Sequence, residues 1–472
     1  MLGRAIETIQ KLFRNPVFPW VAAFWLGCLI VPQHGCQLEL PRMLTLRAMA
    51  DDQSFEIGRY IDWTDEWART PDGRYFNNRA PGPGFVGFPL FFLVDRTLVR
   101  WREGGKVDDK GRRPWPGHLL RASLSFSLQQ LPFGILVMLG ATMLLSHGVP
   151  IFAVHFFALA ALFGNTASIF MNSYSGHGLA ATFVLGLLLA LLSRRYFWVG
   201  LAFGFALLTD YGAAMLLLPL LAALFLVERD PRKWALAFVA GGLLPGVLWV
   251  WYHLSAFGSP FLTANHFQNP MYQDVRVDGN FMGIFKPWPD FKVLGELLLG
   301  ARRGLLPTQP WALLFLPLSL LLLARFEKPK SEAFAGLVFT SLSFVLLLWL
   351  NSMYGGWFAG LSAGPRYLSQ IIPAIAFMVA VYFTRIEALA WGRAWTKLLW
   401  VSLAAALVFR GLVFAVNPMA PLEPLWGFYW QAIVGKETLT NWFRLGIYFV
   451  LLGLALGEVI RRSKQGTNSA KA

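Results

Sequence analysis

The sequence predicts an all-α polytopic membrane protein with about 12 transmembrane helices. Three observations predict it. Hydrophobic residues fill 56% of the 472 positions, mean hydropathy is +0.51, and charged residues reach only 14%, far below the roughly 25% usual in a soluble domain. Apolar runs recur from one end of the chain to the other. Basic residues gather in the connections between those runs, the bias of cytoplasmic loops.

The runs fall near 17–32, 85–99, 119–145, 150–170, 178–193, 196–209, 212–227, 234–253, 311–324, 334–351, 367–384, 397–416 and 444–460. The first follows Arg4, Lys11 and Arg14 in the manner of a signal peptide. No small-residue cleavage pattern comes after it, so it reads as an uncleaved first helix. The run at 85–99 is short, holds Pro89 and ends at Asp95-Arg96; it reads as an interfacial or re-entrant helix. With that run excluded, six basic segments share one side: the N-terminus, Arg194-Arg195, Glu228–Lys233, Arg325–Lys330, the stretch with Arg385, Arg393 and Lys397, and the tail with Arg461, Arg462 and Lys464. Both termini are then cytoplasmic. The connection 100–118 dissents, with six Lys/Arg against three Asp/Glu on the outer side.

The chain reads as one transmembrane domain, 1–472, without internal repeats or low-complexity segments. Two long polar segments interrupt it, a first external loop at 33–118 and a second at 254–310, with a shorter one at 417–443. All three face the exterior, which puts the chemistry on that face. The net charge of +15 belongs to the charge bias, and no basic-aromatic module for nucleic acid is present. Cys28 and Cys36 are about 12 Å apart along a helix, too far for a disulfide, and two cysteines alone build no zinc-thiolate site.

The first loop is rich in acids: Glu39, Asp51, Asp52, Glu56, Asp62, Asp65, Glu66 and Asp72. A carboxylate beside the membrane suits a general base or a divalent cation. From Asp72 the loop reads DGRYFNNRAPGPGFVGFP, where glycine and proline fix turns and the guanidinium groups of Arg74 and Arg79 suit a phosphate. His177 in NSYSGHGLAATF and Asp210 in LLTDYGAAM are ionisable groups at helix ends near membrane depth, the sort of position that marks function. In GGWFAGLSAGPRYLSQIIP, Arg366 follows Gly-Pro at the start of a helix, where backbone amides and the helix dipole favour an anion.

The chain resembles a bacterial GT-C glycosyltransferase of the branch of aminoarabinose transferases and protein O-mannosyltransferases. The likeness lies in a succession of motifs through most of the chain: the acidic loop, DGRYFNNRAPGPGFVGFPLF, GHGLAA, LLTDYGAA, FGSPF, RRGLLPTQPW and GGWFAGLSAGPRYL. The resemblance implies juxtamembrane helices in the first external loop. It implies transfer of a sugar, with inversion, from a polyprenyl-phosphate donor to a glycan, lipid or protein acceptor. It places the enzyme in the bacterial inner membrane with its active site facing the periplasm or exterior. A loop acid serves as base or metal holder: Asp65, which precedes the Gly-Arg-Tyr turn, Glu39, which precedes Arg42, or the Asp51-Asp52 pair. Arg79, Arg366 and Arg303 hold the donor phosphate. Tyr75, His177, Asp210 and Tyr211 line the substrate. Relatives often carry Lys in place of Arg79 and Glu in place of Asp210. No metal-ligand motif is present, although paired acids would suit Mg²⁺ or Mn²⁺. Two other readings remain open: a ligase or polymerase using a lipid-pyrophosphate glycan, and a lipid or solute carrier. A carrier calls for related halves around a midplane site.

Overall fold

The structure is a computed structural model, and it describes residues 10, 13–30, 39–99, 108–109, 112, 118–271, 285–325, 331–358, 362–416, 424–435 and 438–469. Arg4, Lys11, Cys36, most of the basic connection 100–118 and most of the Arg325–Lys330 run lie outside them, and so does the Lys464 side chain. Within them the protein is helical, with one two-stranded sheet. Five helices are long and apolar enough to cross a membrane, and seven shorter ones are strongly apolar.

The chain enters through α1 (Phe18–Ile30). The Asn15 amide anchors its start by donating to the Met138 carbonyl and to Thr142 Oγ1, both at 3.0 Å. α2 (Leu40–Asp51) and α3 (Gly82–Val94) then pack against each other. Met43, Leu46 and Ala50 of α2 meet Phe91 and Val94 of α3. The apolar run at 85–99 therefore forms most of a helix laid on α2. It does not end at Asp95 but continues as a π-helical turn, Asp95–Val99, and Asp95 forms an ion pair with Arg47 at 2.7 Å, both side chains fully buried. Breaking one partner of such a pair costs about 3–5 kcal/mol. Arg47→Ala is expected to lower the melting temperature of the detergent-solubilised protein while Arg96→Ala, at an exposed side chain, changes it little.

Between α2 and α3 lies the sheet, β1 (Trp67–Arg69) antiparallel to β2 (Tyr75–Asn77), with Trp67 opposite Asn77. The turn Pro71-Asp72-Gly73 joins them, with Gly73 at φ +89°. That conformation favours glycine.

The remaining apolar helices are α4 (Leu119–Ser146), α5 (Ile151–Leu162), α6 (Gly176–Leu192), α7 (Tyr196–Thr209), α8 (Leu217–Val227), α9 (Ala235–Phe257), α10 (Pro310–Ala324), α11 (Glu332–Met353), α12 (Ile372–Val381), α13 (Gly392–Ala415) and α14 (Thr438–Ser469). Their core is aliphatic and aromatic throughout. α7 and α9 approach most closely because Gly200 lies against the Phe238 carbonyl and Gly241 against the Phe197 carbonyl, where a β-carbon has no room. This is the small-residue packing of helices in lipid. The outer face of α9 carries Leu236, Val239, Leu243 and Val247, all exposed; with 17% of its span buried, against 61% for α13, α9 forms an apolar outer wall.

Polar contacts sort the two ends of the bundle. At one end Arg194, after α6, pairs with Glu332 at the start of α11 at 2.6 Å, and Arg462 of α14 donates to the Phe13 carbonyl at 2.9 Å. At the other end lie the start of α6, the end of α7, the end of α11 and the loop helices.

Candidate functional site

A cavity of about 650 Å³ opens at that second end. The start of α6, the Asp210 turn, the end of α11 and the segment after β2 enclose it. Its polar wall carries Arg42, Asn78, Arg79, His177, Asp210, Tyr354 and Tyr367, while Ala214, Met215, Leu346, Trp349 and Leu350 form an apolar wall. Ala214 and Trp349 are themselves exposed.

Local sequence fixes the polar wall. Ser175 caps α6, its Oγ accepting from the Gly178 amide at 3.1 Å, and this sets His177 in the first turn. Gly176 lies against the Thr209 carbonyl, where any side chain collides, so α6 meets the end of α7 closely. His177 Nδ1 consequently reaches Asp210 Oδ2 at 2.8 Å. Asp210 Oδ1 accepts from the Gly212 amide at 2.9 Å. Burial works against the Asp210 carboxylate, but the His177 hydrogen bond and charge, the Gly212 amide and Arg42 outweigh it and hold it below its usual range. An ionised Asp210 accepts only, so Nδ1 carries the proton and Nε2 is left as the accepting nitrogen. Nε2 has no hydrogen-bond partner among the described residues.

Arg79 follows β2, its amide donating to Asn77 Oδ1 at 2.9 Å. Its guanidinium is hydrogen-bonded and ion-paired to Glu66. Asn78 Nδ2 donates to the same carboxylate at 3.1 Å. Burial disfavours the charge on Glu66, but Arg79, Asn78 and Arg366 together hold its carboxyl below the usual carboxylate range. Asn78 Oδ1 and Arg79 Nε are buried without partners.

Arg366 is buried behind the wall, stacked on the Tyr367 ring at 5.0 Å, with Nη2 at 3.1 Å from its hydroxyl. Its Nε has no partner. Gly364, at φ +108°, makes the turn before it; a β-carbon there comes within 2.8 Å of Thr166 Cγ2. Tyr211 lines the cavity and its hydroxyl lies 3.2 Å from His253 Nε2.

The other residues singled out in the sequence lie off the cavity wall. Asp65 is exposed, and its carbonyl accepts from Asn269 Nδ2 at 2.8 Å. Glu39 is buried between Arg121, at 3.5 Å, and the Tyr174 amide, at 3.3 Å; burial pushes its carboxyl up despite these contacts and Arg42. Asp51 lies by Arg47 and Tyr60, and Asp52 pairs with Arg59 at 2.8 Å. Tyr75 packs edge-on against Trp67, and Arg74 pairs with Asp72. Arg303 is buried and donates to the Phe358 and Arg302 carbonyls. Cys28 is a buried thiol hydrogen-bonded to Asn172 Oδ1.

Among the described residues this wall offers no site for a divalent cation. Among the described residues no three His, Cys, Asp or Glu side chains converge, and the two carboxylates nearest the cavity already engage His177, Gly212, Arg79 and Asn78.

The sequence alone does not separate Glu66 from Asp65, nor mark Arg42, Asn78, Tyr354 and Tyr367 for the site. A usable signal existed for Glu66. The Pro-Asp-Gly turn pairs Trp67 with Asn77, and the next position on each strand brings Glu66 beside Asn78 and Arg79.

No family model matches the chain, and neither a curated protein nor a solved structure does.

Proposed function

We propose that the protein is an inverting glycosyltransferase that takes a sugar from a polyprenyl-phosphate donor. The observation that carries this reading is the two-sided cavity. One wall offers guanidinium groups and a His–Asp pair, and the other is apolar, with Ala214 and Trp349 exposed. An amphiphile with an anionic headgroup matches both walls.

In this reading the five long and seven shorter apolar helices make about 12 crossings of a bacterial inner membrane, with the basic end cytoplasmic and the cavity outside. The lipid tail lies against Met215, Leu346 and Leu350. The phosphate faces Arg79 and Arg42, and Arg366 adds positive potential through Tyr367. The acceptor oxygen attacks the anomeric carbon from the opposite side, and its proton passes to His177 Nε2. The bond from carbon to phosphate oxygen breaks, and the electron pair leaves with polyprenyl phosphate, which needs no proton. Asp210 stabilises the imidazolium that forms, the role of a carboxylate behind a basic histidine. The base is thus His177 rather than Asp65 or Glu39, whose side chains lie off the cavity wall.

The test uses purified protein in detergent, where transport has no meaning. It is given polyprenyl-monophosphate sugars, lipid-pyrophosphate glycans and membrane extract. Sugar transfer with release of polyprenyl phosphate is expected from the monophosphates, and Arg366→Ala, which removes a charge behind the wall and not a contact to the phosphate, should lower it by less than Arg79→Ala does. Consumption of the pyrophosphate donors alone, or of no donor by folded protein, refutes the reading in favour of a ligase or a carrier respectively.

A further inference from the structure

A second opening, of about 480 Å³, lies at the opposite end of the bundle, away from the cavity. Its walls are Phe152 at the start of α5, Phe383 and Glu387 on the short helix Phe383–Glu387, and Thr396, Lys397, Trp400 and Val401 near the start of α13. The proposed transfer reaction makes no use of it.

The aromatic floor is firm. Phe152 and Phe383 meet edge-on with centroids 5.1 Å apart, and Trp400 meets Phe156 at 5.3 Å. Along α13 the groove runs from Lys397 at the end of the bundle toward Val401, which is 67% exposed on the flank of a membrane-length helix. One end of the groove is therefore polar and the other faces lipid tails. Trp391, 83% exposed at the corner before α13, stands where indoles anchor at the membrane interface.

The polar end carries one charge of each sign. Lys397 and Glu387 both line the groove, and neither has an ion pair or side-chain hydrogen bond among the described residues. A purely anionic headgroup would set its phosphate against the Glu387 carboxylate. A zwitterionic headgroup with a primary ammonium satisfies both. Its phosphate meets Lys397, and its N–H groups donate to Glu387. A choline headgroup has the charge but no N–H to donate.

We propose that this groove is a binding site for an aminophospholipid of the phosphatidylethanolamine type. The phosphate sits on Lys397, the ammonium on Glu387, and an acyl chain lies over Phe152, Phe383 and Val401. The site is independent of the sugar-transfer reading.

The test is lipid retention by the full-length protein. Delipidated protein in detergent is exposed to equal amounts of phosphatidylethanolamine, phosphatidylcholine and phosphatidylglycerol with identical chains, and the lipid kept after exchange is counted by native mass spectrometry. The ethanolamine lipid should be kept over the choline lipid by roughly tenfold, the scale of one charge-assisted hydrogen bond. Glu387→Gln should erase that preference, and Lys397→Gln should lower retention of both. Both residues are exposed, so the variants should keep the wild-type melting temperature. Equal retention of ethanolamine and choline lipids, a preference for the glycerol lipid, or a preference that survives Glu387→Gln overturns the proposal.

Discussion

Arg79→Ala is expected to lower sugar transfer by about 10²–10³-fold, the range for removing one preorganised contact to developing charge. Two effects add. The leaving phosphate loses the guanidinium that faces it across the cavity, and Glu66, buried with its carboxyl held ionised, loses its strongest counter-charge. The stranded carboxylate then repels the donor phosphate from just behind the wall. This second effect makes the double variant informative. Adding Glu66→Gln to Arg79→Ala removes the repulsion, so the pair should be more active than Arg79→Ala alone. Neighbouring residues that share an interaction couple in this way. Comparison of kcat/KM for the four proteins checks it, and a double variant as poor as or poorer than Arg79→Ala would show that Glu66 is not felt in the cavity.

His177→Ala is expected to lose about 10²–10⁴-fold in transfer, the range for a positioned general base, with a small change in donor KM. Asp210→Asn should lose less at the chemical step yet still substantially. The amide cannot stabilise the imidazolium, and it can turn its N–H₂ toward Nδ1 and shift the proton to Nε2. His177→Gln, which keeps polarity in the cavity but cannot take up a proton, should erase the acidic limb of the pH–rate profile. A structural histidine would instead give variants with altered melting temperature and an unchanged profile.

The helices were legible because the signal behind them is additive: each apolar residue in a run of a dozen or more argues for the same state. The run at 85–99 was legible as helix for the same reason, and Pro89, inside α3, does not break it. The cavity was legible in part. His177, Asp210, Tyr211 and Arg79 sit at turns marked by glycine or proline, and the structure brings all four to one wall. The choice among the loop acids was not legible in the same way. Asp65 and Glu66 are adjacent, and alternation along a strand sends neighbouring side chains to opposite faces, so the choice depends on the pairing of β1 with β2. Arg42 lies within α2, and only the fold, which sets its Nη2 against Gly176 at the start of α6, brings it to the cavity. The apolar wall was the least legible part. Leu346, Leu347 and Leu350 cannot be told by sequence from Leu348 of the same helix, which is buried off the cavity wall.

A donor analogue carrying a photoreactive group on its polyprenyl chain tests the central claim most directly. Irradiated with the wild-type protein and mapped by peptide mass spectrometry, it should label Ala214–Met215 and Leu346–Leu350, the two sides of the apolar wall. Unlabelled polyprenyl-phosphate sugar should suppress the labelling, and Arg79→Ala should weaken it. Labelling that avoids both segments, or that persists in excess unlabelled donor, would contradict the assignment of this cavity to a lipid-phosphate sugar.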